Sequence, residues 1–184
     1  LVINEKTSNA FFRNAITPSS DIIFIISNYL TPLIIVFIQL ATILAMSMIF
    51  FKGAFLASLL PIISIIFISS SLFILMGMLI GNLFKSGETA TIASISFLSL
   101  LIFFSNIILP IESLPGMFKT LANLNPIVVS ETILRRVILF GSGFTNIYKG
   151  IVILASYILI VMILLFMQHN FIKQSYKLKK IIQR

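Results

Sequence analysis

The stretch ASLLPIISIIFISSSLFILMGMLI, residues 57–80, decides the fold of this chain. It contains no charged residue and lies inside an uncharged interval that runs from Lys52 to Lys85. A helix needs about 20 apolar residues to cross the hydrocarbon core of a bilayer, which is about 30 Å thick. The stretch is long enough for that crossing and therefore predicts a transmembrane helix.

Three further intervals of at least 22 residues also contain no Asp, Glu, Lys or Arg. One span is placed in each, so the predicted spans are 33–51, 57–80, 91–109 and 150–168. The first interval is too long for a single crossing, so residues 22–31 are predicted to be an interfacial lead-in. The predicted fold class is an all-α polytopic membrane protein with four transmembrane helices.

The composition supports a membrane protein and leaves little chemistry for catalysis. Hydrophobic residues make up 59% of the 184 residues, charged residues make up 10%, and the mean hydropathy is +1.13. Soluble domains are about 45–50% apolar and about 25% charged. The chain has no Cys, one His and five acidic residues, and no phosphate-binding GxxxxGK[ST] or zinc-binding HExxH motif. We therefore expect no enzyme activity and no metal or cofactor site in this chain.

The distribution of basic residues predicts the orientation in the membrane. Four spans put both ends on one side, and that side holds eight of the 13 Lys and Arg residues. The positive-inside rule then places both ends in the cytoplasm of a multi-pass protein. Leu1-Val2-Ile3 resembles the end of an apolar segment, so we expect further spans upstream.

The segment 1–21 is predicted to be a cytoplasmic loop with a short helix. Phe11 and Phe12 start two apolar ridges at helical spacing beside Arg13, and Thr17-Pro18 ends the helix. Exposed aromatic residues within a polar rim are typical of a surface that docks onto another protein. A helix lying on lipid headgroups is the alternative.

The segment 172–184 is predicted to be a basic cytoplasmic tail that continues the last span. Four of its five basic residues share one helical face; they are Lys173, Lys177, Lys180 and Arg184. Each cation near an anionic leaflet contributes about 1 kcal/mol of binding free energy. We therefore predict contact with lipid headgroups, and no nucleic-acid binding.

The segment 110–149 is predicted to contain two short helices. Asn125-Pro126 is typical of a helix N-cap and first position, and Gly141 is typical of a stop, so the longer helix spans about 126–140. Glu131 and Arg135 are spaced as an ion pair on it. A shorter helix is predicted from Pro115 to 124.

Each of these short helices has an apolar face. The face of the longer helix consists of Val129, Ile133, Val137 and Phe140, and the face of the shorter consists of Phe118, Leu121 and Leu124. Three charges in the longer helix exclude a span, because one Arg at the bilayer centre costs about 2.5–3.5 kcal/mol. Two alternatives stay open: a re-entrant pair, or surface helices with no role in transport.

Small and polar residues within the spans predict packing contacts. Gly77 and Gly81 form a GxxxG pattern, which favours close approach of another helix. Several serines lie in the second and third predicted spans, including Ser64, Ser69 and Ser71. We expect them to bond across helices or to the carbonyl four residues earlier.

Two sets of motifs resemble those of type 2 ATP-binding-cassette (ABC) exporter permeases. The first is Glu5-Lys6, then Phe11-Phe12-Arg13, then Thr17-Pro18, before a span. The second is LPIESLP at 109–115, LNP at 124–126, Arg135 and Gly141, before the last span. The order and spacing of these motifs resemble that family along nearly the whole chain.

The resemblance implies that residues 1–184 form one transmembrane domain with spans three to six of a six-helix permease. Residues 5–16, including Glu5, would be the coupling helix that binds an ATPase subunit, and residues 115–140 the extracellular re-entrant helices. Members of the family work as two permease subunits, identical or different, with two ATPases that bind ATP and magnesium. The implied function is ATP-driven export across the cell membrane; the alternative is a structural or assembly membrane protein without a transport cycle.

Overall fold

The computed structural model describes residues 21–50, 58–84, 86–108, 110–113 and 115–182. These residues form helices, with a short 3-10 turn at Ile111–Ser113. The α-helices in chain order are α1 (Asp21–Phe50), α2 (Leu59–Leu83), α3 (Gly87–Phe103), α4 (Gly116–Asn123), α5 (Pro126–Phe140) and α6 (Phe144–Ile182). No strand occurs in these ranges, which confirms the all-α prediction.

Three helices are long and apolar enough to cross a membrane: α1, α2 and the first part of α6. The 30 residues of α1 are continuous through Pro32, so the predicted lead-in and first span belong to one helix. The connection between the first two predicted spans lies outside the described residues. The prediction of three of the four spans is thus matched by long helices.

The third predicted span is shorter in the structure than in the sequence prediction. α3 has 17 residues, or about 26 Å, and ends at Phe103 rather than near Leu109. Beyond it, the Ser105 hydroxyl donates to the Ile102 carbonyl at 2.6 Å, and the Asn106 side chain accepts from Ile111 N–H at 3.2 Å. Such local side-chain bonds compete with the helix, although no charged residue interrupts the interval.

The apolar core lies where α2, α5 and α6 meet. Three residues of each helix are buried together: Ile62, Ile65 and Leu72 from α2, Val129, Ile133 and Val137 from α5, and Ile147, Leu154 and Val161 from α6. A smaller cluster of Ile111, Ala122 and Val128 packs the turn and α4 against α5. The short helix α5 is therefore part of the core.

α1 and α3 lie on the other side of α2. The Tyr29 and Ser71 hydroxyls are 2.7 Å apart, and the Phe37 and Phe67 ring centroids are 5.8 Å apart. Residue numbers rise along α1 as they fall along α2 in these contacts, so the two helices are antiparallel. The start of α1 and the α2–α3 connection therefore lie at the same end of the bundle.

The bounds of α5 agree with the prediction, but one residue of its predicted face does not. The helix starts at Pro126, and Gly141 follows it with a left-handed φ of 59°, a conformation that glycine adopts without strain. Val129, Ile133 and Val137 are buried, whereas Phe140 is 77% exposed. Phe140 is in the last turn, where the chain leaves the core.

Candidate functional site

The Asn125 side chain joins the start of α5 to the end of α3. Its Oδ1 accepts from Ile127 N–H at 3.0 Å, and its Nδ2 donates to the carbonyls of Leu101 at 2.6 Å and Phe104 at 3.1 Å. The residue is only 6% exposed. One amide thus satisfies a free donor of one helix terminus and two free acceptors of another.

The start of α5 also contacts α6. The Tyr157 hydroxyl donates to the Leu124 carbonyl at 2.7 Å. Tyr157 lies about 20 Å along α6 from its first residue, Phe144. The chain between α4 and α5 therefore reaches about 20 Å down the bundle from the α5–α6 turn.

α5 then returns along α6 in antiparallel orientation. A Cβ atom built on Gly150 would be 2.3 Å from Ile133 Cγ2, so the Ile133 side chain packs directly on the Gly150 backbone. Leu124, just before α5, contacts Tyr157, and Ile133 of α5 contacts Gly150, so residue numbers rise along α5 as they fall along α6. A larger residue at 150 would clash with Ile133, and small residues of this kind promote helix packing in membranes.

A serine pair fixes α5 to α2. Ser69 Oγ donates to Ser130 Oγ at 2.9 Å, and Ser130 Oγ donates to the Pro126 carbonyl at 2.8 Å. Ser64 instead donates to the Leu60 carbonyl at 2.8 Å. The expectation that serines of the spans bond across helices or within their own helix is confirmed at Ser64, Ser69 and Ser71.

The two arginines of α5 are exposed, whereas Glu131 is partly covered. Arg135 forms an ion pair with Glu131, and the two side chains are 60% and 23% exposed. The prediction of this i,i+4 pair agrees with the structure. The neighbouring Arg136 is also exposed.

The face predicted for α4 is largely uncovered. Phe118, Leu121 and Leu124 are between 46% and 59% exposed, although the Phe118 ring stacks at 6.1 Å on Phe104. Ala122 is fully buried instead. Pro115 precedes α4 and is exposed.

A second feature is a cavity of about 990 Å³ between α1, α2 and α3. Gly77 and Gly81 line it, and a Cβ atom on Gly77 would meet nothing within 4 Å. Close helix packing at this GxxxG pattern is therefore not made at Gly77 within the described part of the chain, and its packing role stays a prediction.

The other predicted contact residues cannot be placed by their side chains. Glu5, Phe11, Phe12 and Arg13 lie outside the described residues, as does Arg184. The helix α6 includes Lys173, Lys177 and Lys180. The roles predicted for these residues stay predictions.

Polar side chains around α5 fix its position. The hydrogen bonds of Asn125, Tyr157 and Ser69 hold α5 at a defined depth between α2, α3 and α6. The described residues contain no group of three His, Cys, Asp or Glu residues able to hold a metal ion. The sequence matches a family model described as ABC-2 family transporter protein over residues 1–167.

The chain belongs to the ABC-2 transporter family. Its apolar helices and this family together make it a multi-pass membrane protein, the permease component of an ABC transporter, which is not itself catalytic. No curated protein and no solved structure matches the sequence significantly. The resemblance drawn from the sequence motifs is confirmed at the family level.

Sequence reasoning missed two contacts of this ABC-2 permease. Tyr157 and Gly150 lie in an uninterrupted apolar span, where nothing distinguishes them as contact residues. The only available signal was their type, because a hydroxyl and a missing side chain within a span both favour helix contacts.

Proposed function

We propose that this chain is the membrane-spanning subunit of an ABC exporter, powered by ATP hydrolysis in a separate ATPase subunit. The family match over residues 1–167 is the observation that supports this proposal most directly. The sequence has no phosphate-binding GxxxxGK[ST] motif of its own, so the energy for transport must come from a partner. A second permease subunit, identical or different, completes the pathway.

In this proposal α4 and α5 are the extracellular re-entrant helices. The depth of the Leu124–Tyr157 contact, about 20 Å along α6, supports an excursion into the bilayer. The bonds of Asn125 satisfy helix-terminal groups that would otherwise lie unpaired at that depth, where water is absent. In the ion pair of α5, the Arg135 side chain stays exposed and Glu131 is partly covered.

The proposed topology has four spans, with both ends of the chain in the cytoplasm. In addition to the three long helices, α3 crosses the membrane, although its length of about 26 Å is a few Å short of the hydrocarbon core. The chain beyond α3, held by Asn125, completes the passage to the outer side. The basic residues at 173–184 then lie at the inner leaflet, where they bind anionic lipids.

Residues 5–16 are proposed to dock onto the ATPase. A docked helix links nucleotide-driven movement of the ATPase to the spans, and the fixed contacts of α5 extend that link to the outer side. The experiment is the double substitution Phe11→Asp and Phe12→Asp in the complete protein. We expect loss of ATPase co-purification and of substrate-stimulated ATP hydrolysis.

Asn9→Asp is the matched control, because it adds a charge to the same segment without removing the aromatic ridges. It should leave both measurements unchanged. Unchanged co-purification and hydrolysis in the double variant would contradict docking at this segment. An intact protein with no ATPase partner in membranes would favour the structural or assembly function instead.

The orientation has its own test, because the chain has no Cys and single introduced thiols report alone. Cys is placed at Glu5, Lys119 or Tyr176, and membrane-impermeant reagents are applied to each side. We expect Lys119→Cys to react from outside and the other two from the cytoplasm. Reaction of Lys119→Cys from the cytoplasmic side would contradict the topology.

A further inference from the structure

The cavity between α1, α2 and α3 contains a buried hydrogen-bond acceptor with no partner. Asn28 lines this cavity and is 4% exposed, and its Oδ1 makes no hydrogen bond among the described residues. Burying a polar atom without a partner is unfavourable, because its hydrogen bond to water is lost and not replaced. The cost is removed when a ligand in the cavity donates a hydrogen bond to Oδ1.

A second acceptor lies at the same place. Pro32 also lines the cavity, one helical turn after Asn28. Proline has no N–H, so it gives the Asn28 carbonyl no i,i+4 hydrogen bond. The α1 wall of the cavity therefore favours a ligand that donates hydrogen bonds.

The charge of the cavity favours a cation. Among the described residues that line it, Glu88 is the one charged side chain. Two donors at the start of α3 are already used: Thr89 N–H bonds to Ser86 Oγ at 3.3 Å, and Ala90 N–H bonds to Ser86 O at 3.2 Å. The Glu88 carboxylate attracts a cation and repels an anion.

The remaining walls are apolar. Ile74 and Met78 of α2 face Ile92 and Ile95 of α3 across the cavity. Ligand sites typically measure about 300–1,000 Å³ and combine apolar walls with a few polar groups. A volume of about 990 Å³ accommodates a long apolar chain as well as a polar head.

We propose that this cavity binds an amphiphile with a primary ammonium head and an apolar chain. Asn28 Oδ1 accepts a hydrogen bond from the ammonium, Glu88 supplies the opposite charge, and the apolar chain lies between α2 and α3. The N–H donors are essential to this recognition, so a quaternary ammonium of the same length binds more weakly. The ligand is either a free single-chain amine or an aminophospholipid from the surrounding leaflet.

The test measures binding of dodecylamine to the complete purified protein by native mass spectrometry, without nucleotide. Dodecyltrimethylammonium and dodecanoate are the comparison probes, since they lack N–H donors and positive charge respectively. We expect dodecylamine to bind at least about tenfold more tightly than either, as loss of a charge-assisted hydrogen bond costs that much. Because no ATP is used, the result is independent of the ATPase coupling test.

Two substitutions separate the head contacts. Asn28→Leu should weaken dodecylamine binding about tenfold or more and leave dodecyltrimethylammonium unchanged. Glu88→Gln should weaken both cations about threefold, with a smaller effect at high salt because Glu88 is exposed. Asn123→Leu and Glu112→Gln, at exposed positions outside the cavity, are the matched controls and should change nothing.

A third substitution distinguishes lost binding from misfolding caused by substitution of the buried Asn28. Ile92 is 65% exposed and lines the cavity, so Ile92→Trp narrows the space without entering the core. It should weaken dodecylamine binding while the melting temperature stays unchanged. Phosphatidylethanolamine that co-purifies with the protein and is lost in Asn28→Leu identifies the lipid as the source, whereas dodecylamine binding without such lipid identifies a free amine.

Either source supports the proposal. Equal affinity for dodecylamine and dodecanoate would overturn it, as would unchanged dodecylamine binding in both Asn28→Leu and Ile92→Trp.

Discussion

The two sides of α2 are built differently. Its contact with α5 and α6 contains nine buried apolar residues, a cross-helix serine pair and, between α5 and α6, direct packing of Ile133 on the Gly150 backbone. Its contact with α1 and α3 includes one hydroxyl pair, one aromatic pair and a cavity of about 990 Å³. The first side is a fixed block, and the second has room for a ligand or for movement.

The difference shows what stabilises helices that face lipid. Many residues of α1 and α3 are large, apolar and exposed, as are those of α6. Lipid is as apolar as these side chains, so hydrophobic burial does not drive the helices together. Polar bonds and packing on small residues decide which helices are firmly joined.

The largest loss of stability is expected from substitution of Asn125, which lies at the edge of the fixed block formed by α2, α5 and α6. Asn125→Leu leaves Ile127 N–H and the Leu101 and Phe104 carbonyls without their side-chain partner. We expect a loss of about 3 kcal/mol or more in the free energy of unfolding, measured by SDS titration in mixed micelles. Asn125→Ser keeps a cap acceptor but not the amide donors, and should lose about half as much.

Asn123→Leu is the control, since Asn123 is exposed at the end of α4. Equal, small losses for the two Asn125 variants would show that the amide does not join α3 to α5.

A smaller effect is expected at Gly150. Gly150→Ala places a Cβ atom 2.3 Å from Ile133 Cγ2, and the overpacking should cost about 1–3 kcal/mol of unfolding free energy. Ile133→Leu removes the branching Cγ2 methyl, so the double variant should recover part of the loss. Both are measured in a double-mutant cycle.

Gly77→Ala is the same substitution on the cavity side of α2, where a Cβ atom meets nothing within 4 Å. It should leave the stability unchanged or raise it, because Ala favours a helix over Gly by about 1 kcal/mol. Destabilisation by Gly77→Ala would mean that another helix packs there, as the GxxxG pattern predicts.

The smallest expected losses of stability come from substitutions of two tyrosines. Tyr157→Phe leaves the Leu124 carbonyl without its hydroxyl donor, and interhelical hydrogen bonds in membranes contribute about 0.6 kcal/mol, at most about 1.7. Tyr29→Phe on the other side of α2 should cost less, because the Ser71 hydroxyl can turn to a carbonyl of its own helix. A larger loss for Tyr29→Phe, measured in the same titration, would reverse the assignment of the fixed side.

Features with local causes were predictable from the sequence. The start and end of α5 follow from Asn125-Pro126 and Gly141, whose side chains or backbone act within one turn. Uninterrupted apolar stretches likewise predicted α1, α2 and α6. The ion pair of α5 followed from spacing alone.

Features with distant causes were not predictable. α3 ends at Phe103, where Ser105 and Asn106 act locally, but the Asn125 amide that holds this end comes from more than 20 residues further along the chain. The unpaired acceptor of Asn28 results from contacts among α1, α2 and α3, so it cannot be recognised in the sequence. Hydropathy shows where helices can lie in a membrane, but not which of them touch.

The length of α6 has a mechanical consequence. It runs for 39 residues, about 58 Å, and contains neither Gly nor Pro from Ile151 to Ile182. Sharp kinks in helices arise almost always at such residues, so this part is expected to be stiff. A tilt of only about 5° beyond Val161, the last residue of α6 in the buried core, would displace Ile182, about 31 Å away, by about 3 Å.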